Sequence, residues 1–282
     1  MVRQPPAWLR GLRVVHPFPS ALNALLVLAL ALIAGGSLHV AGLLALGMLG
    51  LQFAIGATND LFDEELDRQT KPTKPIPAGL ITRRAATLIA LGAGAASVLI
   101  SAALGEEVLV MAAIMLGAGL VYDIRLKRTA WAWLAFSIAF PILPLYAWYG
   151  ASGTVPPLYG LLLTLAVLAG PALQLTNGLV DLERDVAGGV TTLAGRLGRR
   201  RSLAVVGLLV GAIHVGAWAV LLVGDLLTTW ALAPLALAGC LALIGAYLSA
   251  SSNPARCEWG WRAQAGGVAL LAVGWLAAAL AA

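Results

Sequence analysis

Nine apolar segments, each long enough to cross about 30 Å of hydrocarbon, follow one another along this chain, and every lysine and arginine lies outside them. They run over 18–36, 38–58, 85–104, 107–123, 131–150, 156–180, 203–223, 229–250 and 263–281. A chain that is 60% hydrophobic, with a mean hydropathy of +0.90, has too few polar residues to cover a soluble body of 282 residues. The sequence therefore predicts an all-α, polytopic membrane protein with nine transmembrane helices. Its 32 glycines suit helix contact in lipid, where small residues let backbones approach closely.

The basic residues set an orientation. Arg3, Arg10 and Arg13 precede the first segment, and Arg68, Lys71, Lys74, Arg83 and Arg84 lie between the second and third. Arg125, Lys127 and Arg128 follow the fourth; Arg184, Arg196, Arg199, Arg200 and Arg201 follow the sixth; Arg256 and Arg262 follow the eighth. The alternate connections, near Ser37, Glu106, Ser152 and Asp225, hold none. Positive charge stays on the cytoplasmic side, so the N-terminus is expected inside and the C-terminus outside, in a prokaryotic plasma membrane. No cleavable leader is evident, and the first segment can serve as the insertion signal. The net charge of +5 follows from this topology and gives no case for a nucleic-acid partner. Cys240 and Cys257 make neither a disulfide framework nor a metal quartet.

Only 11% of the chain is charged, yet "TNDLFDEELDR" (58–68) packs five acids into eight residues at the end of an apolar run. It has an echo in "TNGLVDLERD" (176–185), which repeats its Thr, Asn, Leu, Asp, Glu and Asp at matching positions, 118 residues later. Both carry Asn-x-x-x-Asp-x-x-x-Asp: Asn59, Asp63 and Asp67, then Asn177, Asp181 and Asp185. Each ends an even-numbered span, with four spans between copies. The chain thus reads as a duplicated four-helix unit plus a ninth helix. Repeats of this kind often place a ligand between halves.

On a helix, i, i+4 and i+8 share a face, and like charges at that spacing cost a few tenths of a kcal/mol. Two matched copies imply that a ligand favours them. An all-oxygen donor set suits a hard cation, Mg²⁺ above all, commonly shared with phosphate oxygens. Soft ligands are missing, because His16, His39 and His214 stand alone in the sequence. Counter-charge comes from "RQTKPTKPIPAG" (68–79), a proline-stiffened loop with Arg68, Lys71 and Lys74, and from "YDIRLKR" (122–128), with Tyr122, Arg125, Lys127 and Arg128. Such cations stabilise charge developing on a phosphoryl-type leaving group. Arg83, Arg84 and Arg199 to Arg201 are read as topological only. The aromatic group Trp131, Trp133, Phe136, Phe140, Tyr146, Trp148 and Tyr149 is read mainly as packing or interfacial belt.

On "NDLFDEELD", "KPTKPIPAG", "YDIRLKR" and "NGLVDLERDVAGGVTTLAGRLG" (177–198), the sequence resembles the UbiA superfamily of intramembrane aromatic and lipid prenyltransferases over essentially its whole length. The resemblance implies one transmembrane domain over 1–282. It also implies Mg²⁺-dependent transfer of a prenyl group from a polyprenyl diphosphate to an aromatic or lipid acceptor, as in quinone or related prenyl-lipid synthesis. By position it assigns Asn59, Asp60, Asp63, Asp67, Asp181 and Asp185 to the metal. Asn59, Asn177, Arg68, Lys71, Lys74, Lys127 and Arg128 go to the diphosphate. Tyr122 is placed near the cation of an ionising donor, where its ring would stabilise positive charge. Lys71 and Lys74 stand where many relatives have Arg, Asp123 departs from a common Ser, and Val190 from a common Lys. Arg13 is an acceptor candidate for a carboxylated ring such as 4-hydroxybenzoate. The alternatives are a cyclase of the same superfamily and, from another class, an ion or solute transporter. The position of the acids at span ends rather than midway disfavours the transporter.

Overall fold

The structure, a computed structural model, describes residue 6 and residues 10–156 and 158–281; Arg3 and Pro157 lie outside them. The nine expected segments each coincide with one long helix: α1 (Pro17–Ile33), α2 (Leu38–Thr70), α3 (Arg83–Leu104), α4 (Glu106–Val121), α5 (Trp133–Ser152), α6 (Tyr159–Gly178), α8 (Leu193–Val223), α9 (Thr229–Ser249) and α10 (Pro254–Ala281). A short additional helix, α7 (Leu182–Ala187), brings the α-helices among the described residues to ten, which corrects the expected nine. The sixth apolar segment extends to 180, whereas the helix stops at Gly178 and restarts after a turn. Among the described residues seven helices are long and apolar enough to cross a membrane, and α1 is apolar but only 17 residues long. Among the described residues there is no strand.

The chain divides into two compact units, residues 1–124 with 150–152, and residues 125–149 with 153–282. The division falls between the fourth and fifth segments, where the sequence echo places the joint of its duplication.

In the first unit α1, α3 and α4 pack on α2. At 33 residues α2 is about 50 Å long, well beyond the hydrocarbon thickness, so its final turns carry the acids out of the apolar layer. Ser37 caps its start by accepting from the Val40 amide at 3.3 Å. Gly50 permits the contact with α3, since a Cβ there would meet the Ala93 carbonyl oxygen at 2.8 Å.

In the second unit α6 packs on α8 and α10, and α10 on α9. Two buried polar links cross between helices. Thr176 Oγ1 donates to Gln264 Oε1 at 2.7 Å, joining α6 to α10, and the Trp275 indole donates to the Ala217 carbonyl at 3.1 Å, joining α10 to α8. Hydrogen bonds of this kind help hold helices together where lipid supplies no hydrophobic driving force. His214 spends Nδ1 on the Val210 carbonyl at 2.9 Å, in keeping with its reading as a core residue. Tyr146 and Trp148 are buried, in keeping with packing.

Candidate functional site

The first acidic row stays on unbroken helix, so Asn59, Asp63 and Asp67 keep one side of α2. A 3₁₀ turn, Leu12–Val15, lies across this helix at Gly56, where a Cβ would approach the Val15 carbonyl carbon to 3.1 Å. The chain then turns at His16 in the left-handed region (φ 48°), a conformation uncommon outside glycine. A small cluster fixes the arrangement: Val14, Val15, Ala57, Ile76 and Ala86 are buried together. Each larger member contributes about 1.5–3 kcal/mol by leaving water. Ile76 thereby pins the proline-rich loop 71–82 over the end of α2.

This packing draws four side chains together. Lys74 Nζ donates to Asp60 Oδ1 at 2.9 Å and to Asp67 Oδ2 at 2.7 Å, and His16 Nε2 lies 3.1 Å from the same Asp60 oxygen. Asp60 and Asp67 are only 1% and 3% exposed. Burial would push the Lys74 ammonium toward its neutral form, but the adjacent Asp60 and Asp67 carboxylates outweigh it and raise the pKa. The stabilisation is therefore fully present below the ordinary lysine range and is lost only as pH rises through the raised value. His16, isolated in the sequence, is a partner of Asp60, brought from 44 residues away by the turn over Gly56. No sequence spacing signals such a contact.

Arg68 does not join this group. It pairs with Glu64 at 2.6 Å, and Glu64 also receives Arg83 at 2.6 Å, tying the ends of α2 and α3 together on an exposed face. Arg83, read as topological, therefore also has a structural role. Arg13 sits exposed on the 3₁₀ turn. Tyr122 and Asp123 begin a π-helical turn, Tyr122–Leu126, at the end of α4, and Asn59 Nδ2 donates to Asp123 Oδ1 at 2.7 Å. Lys71 is half-buried in the loop.

The second row is built differently. Its helix ends at Gly178, Leu179 and Val180 form a turn, and Asp181 sits at the start of α7 with φ −108°, ψ 7°. The expected single face is therefore lost: Asn177 lies on α6, while Asp185 lies on α7. Gly178 fits where a Cβ would come within 3.0 Å of the Ala194 Cβ. The buried Leu179 and Leu182 hold the turn in place. Arg184 pairs with Asp181 at 2.6 Å, both partly exposed. Arg199 donates to the carbonyls of Leu179 (3.4 Å), Ser249 (3.1 Å) and Ser251 (2.6 Å) and to Glu183 (2.7 Å). It staples the turn to the α9–α10 connection, a structural role that its topological reading missed. Its hydrogen bond holds the Glu183 carboxyl below the usual carboxylate range. Lys127 closes the π-turn region within the second unit, half-buried, beside the exposed Arg128.

Among the described residues no three His, Cys, Asp or Glu side chains converge into a ready-made metal cage. Mg²⁺ seldom uses one. It takes one or two carboxylates and leaves the other positions to water and phosphate. Asp60 Oδ2 is buried with no hydrogen-bond partner, an orphan that is costly to keep and the kind of atom a hard cation satisfies. With Asp67 beside it, the donor set of the first row fits Mg²⁺.

The sequence matches the UbiA prenyltransferase family over residues 20–264. It is 32% identical over 255 residues to the digeranylgeranylglyceryl phosphate synthase of Methanoculleus marisnigri, covering 87% of this chain and 88% of that one. It is also 32% identical over 183 residues to the enzyme of that name from Methanopyrus kandleri, covering 64% and 67%. The fold resembles a UbiA homolog from Archaeoglobus fulgidus, solved bound to DMAPP and Mg²⁺, with a TM-score of 0.71 and 19% identity over 96% of this chain and 99% of that one. With a family match that takes in both acidic motifs and a relative alike over nearly the full length, this chain belongs to the UbiA prenyltransferase family.

Proposed function

We propose that this membrane prenyltransferase passes the prenyl group of a prenyl diphosphate to a glyceryl phosphate lipid that already carries one such chain. The carrying observation for the acceptor is the relative alike over 87% of this chain, whose name gives a doubly prenylated glyceryl phosphate as product. The buried Asp60–Lys74–Asp67 group supports the donor half. In this reading Asn59, Asp60, Asp63 and Asp67 of the first row are metal ligands, and so are Asp181 and Asp185 of the second. The metal, when bound, withdraws charge from the departing diphosphate. Lys71, Lys74, Lys127, Arg128 and Asn177 take its oxygens.

The bond between the allylic carbon and the diphosphate oxygen breaks, and the acceptor hydroxyl oxygen attacks that carbon. The hydroxyl proton leaves with the diphosphate. Tyr122 sits beside the allylic cation, and apolar helices keep water from trapping it. An oxygen acceptor needs no base to restore an aromatic ring.

Purified protein with Mg²⁺, donors of several chain lengths and both a mono-prenyl glyceryl phosphate and 4-hydroxybenzoate tests this. Turnover of the glyceryl phosphate alone is expected. Prenylated 4-hydroxybenzoate would overturn the acceptor and restore Arg13 as its candidate partner. A cyclic hydrocarbon formed from donor alone would mark a cyclase.

We also propose a prokaryotic plasma membrane as the location, and the lysine and arginine distribution supports the N-terminus and both acidic motifs on its cytoplasmic face. In a cysteine-free background, an impermeant thiol reagent should label Glu106→Cys in whole cells and Lys71→Cys only after permeabilisation. The reverse pattern would invert the topology.

A further inference from the structure

We infer that Asp123 is a positioning residue: its carboxylate holds the Asn59 amide so that the amide oxygen, not its nitrogen, is offered to the metal. The Asn59 Nδ2 to Asp123 Oδ1 distance of 2.7 Å joins residues 64 positions apart in the first unit. Asp123 is 3% exposed, a burial that is costly for a carboxylate, and the Asn59 amide satisfies its Oδ1.

The two ends of an asparagine side chain have nearly the same shape, and their hydrogen-bond partners decide which faces which way. A hydroxyl at 123 could accept or donate and would leave the choice open. The Asp123 Oδ1 that faces the amide accepts its N–H at 2.7 Å. It therefore fixes the NH₂ toward itself and turns the Asn59 Oδ1 away. Outer partners that orient a ligand in this way commonly change metal affinity by about 10–100-fold when removed.

The backbone is adapted to the contact. The α-helical register of α4 ends at Val121, and Tyr122–Leu126 form a π-turn, a geometry rare in helices and frequent at functional sites. Within that turn Asp123 is buried while Ile124 and Arg125 on either side of the next step are exposed. The extra residue per turn is thus associated with one inward carboxylate.

The inference rests on the reading of Asn59 as a metal ligand, and the experiment separates the two. Mn²⁺ is titrated by EPR into purified full-length protein in nanodiscs with inorganic diphosphate present. Asn59→Ala should weaken Mn²⁺ binding. Asp123→Leu, with the same number of side-chain heavy atoms and no acceptor, should weaken it about tenfold, while Asp123→Asn, which keeps an acceptor oxygen, should weaken it less. Asn59→Asp alone sets two carboxylates against each other and should also bind poorly. The reciprocal pair Asn59→Asp with Asp123→Asn restores a donor–acceptor couple and should recover most of the loss.

Unchanged binding in Asp123→Leu beside weakened binding in Asn59→Ala would overturn the positioning role and leave the ligand reading intact. Unchanged binding in Asn59→Ala would overturn the ligand reading itself. A loss in Asp123→Leu far beyond that of Asn59→Ala would make Asp123 a direct ligand and overturn the inference as stated. If Asp123→Leu fails to fold, the reciprocal pair compared with Asn59→Asp decides: no recovery overturns it.

Discussion

The two acidic motifs share a sequence pattern and differ in almost everything else. The first runs along an unbroken 33-residue helix, is buried at Asp60 and Asp67, and is cross-linked by Lys74 from a loop pinned through Ile76. The second is split by a turn at Leu179 and Val180, is more open to solvent, and has its Asp181 paired to a neighbour three residues on. The deciding exchange is Asp60 against Gly178. Aspartate at the first position gives the loop lysine its anchor, whereas glycine at the second lowers helix propensity and lets Ala194 close in. A spacing of i, i+4, i+8 therefore promises a common face only if the helix survives the motif.

The largest effects are expected in the chemistry. Asp63→Ala and Asp181→Ala should each lower prenyl transfer by about two to three orders of magnitude, measured in membranes with saturating Mg²⁺. Near-normal activity in either variant would mean that only one motif serves the reaction. Lys74→Ala comes next. It leaves Asp60 and Asp67 buried without their cation, so thermal unfolding in detergent should show a loss of about 3 kcal/mol. Gly178→Ala introduces a Cβ against Ala194 and should cost about 1–3 kcal/mol by overpacking. Asp60→Ala, at the matching position of the first motif, would not reproduce this, since that position already carries a side chain. Arg184→Ala is the smallest: the pair with Asp181 is largely solvated, and its removal should shift stability by less than about 1 kcal/mol. A loss as large as that of Lys74→Ala would show the second motif to be as tightly built as the first.

The sequence was a good guide to the helices, because membrane burial demands long uncharged runs and the basic residues mark where those runs end. It was a poorer guide to side chains whose partners are remote. His16 reaches Asp60 across 44 residues, Asn59 reaches Asp123 across 64, and Arg199 reaches Ser251 across 52. A charge in a loop looks the same in sequence whether it orients the chain in the bilayer or staples two helices. The lysines of the proline-rich loop stood out because they share an end with the acids. Even so, the sequence could not show that Lys74 grips the acids themselves.

What the residues alone determined was the helical class, the order of the spans, the duplication and the all-oxygen character of the site, because composition and periodicity are local properties of the chain. The tertiary structure decided which acids are buried, where the second motif breaks, and which remote side chains orient them. Those outcomes depend on packing at single points such as Gly56, Ile76 and Gly178, where one contact fixes the position of everything beyond it.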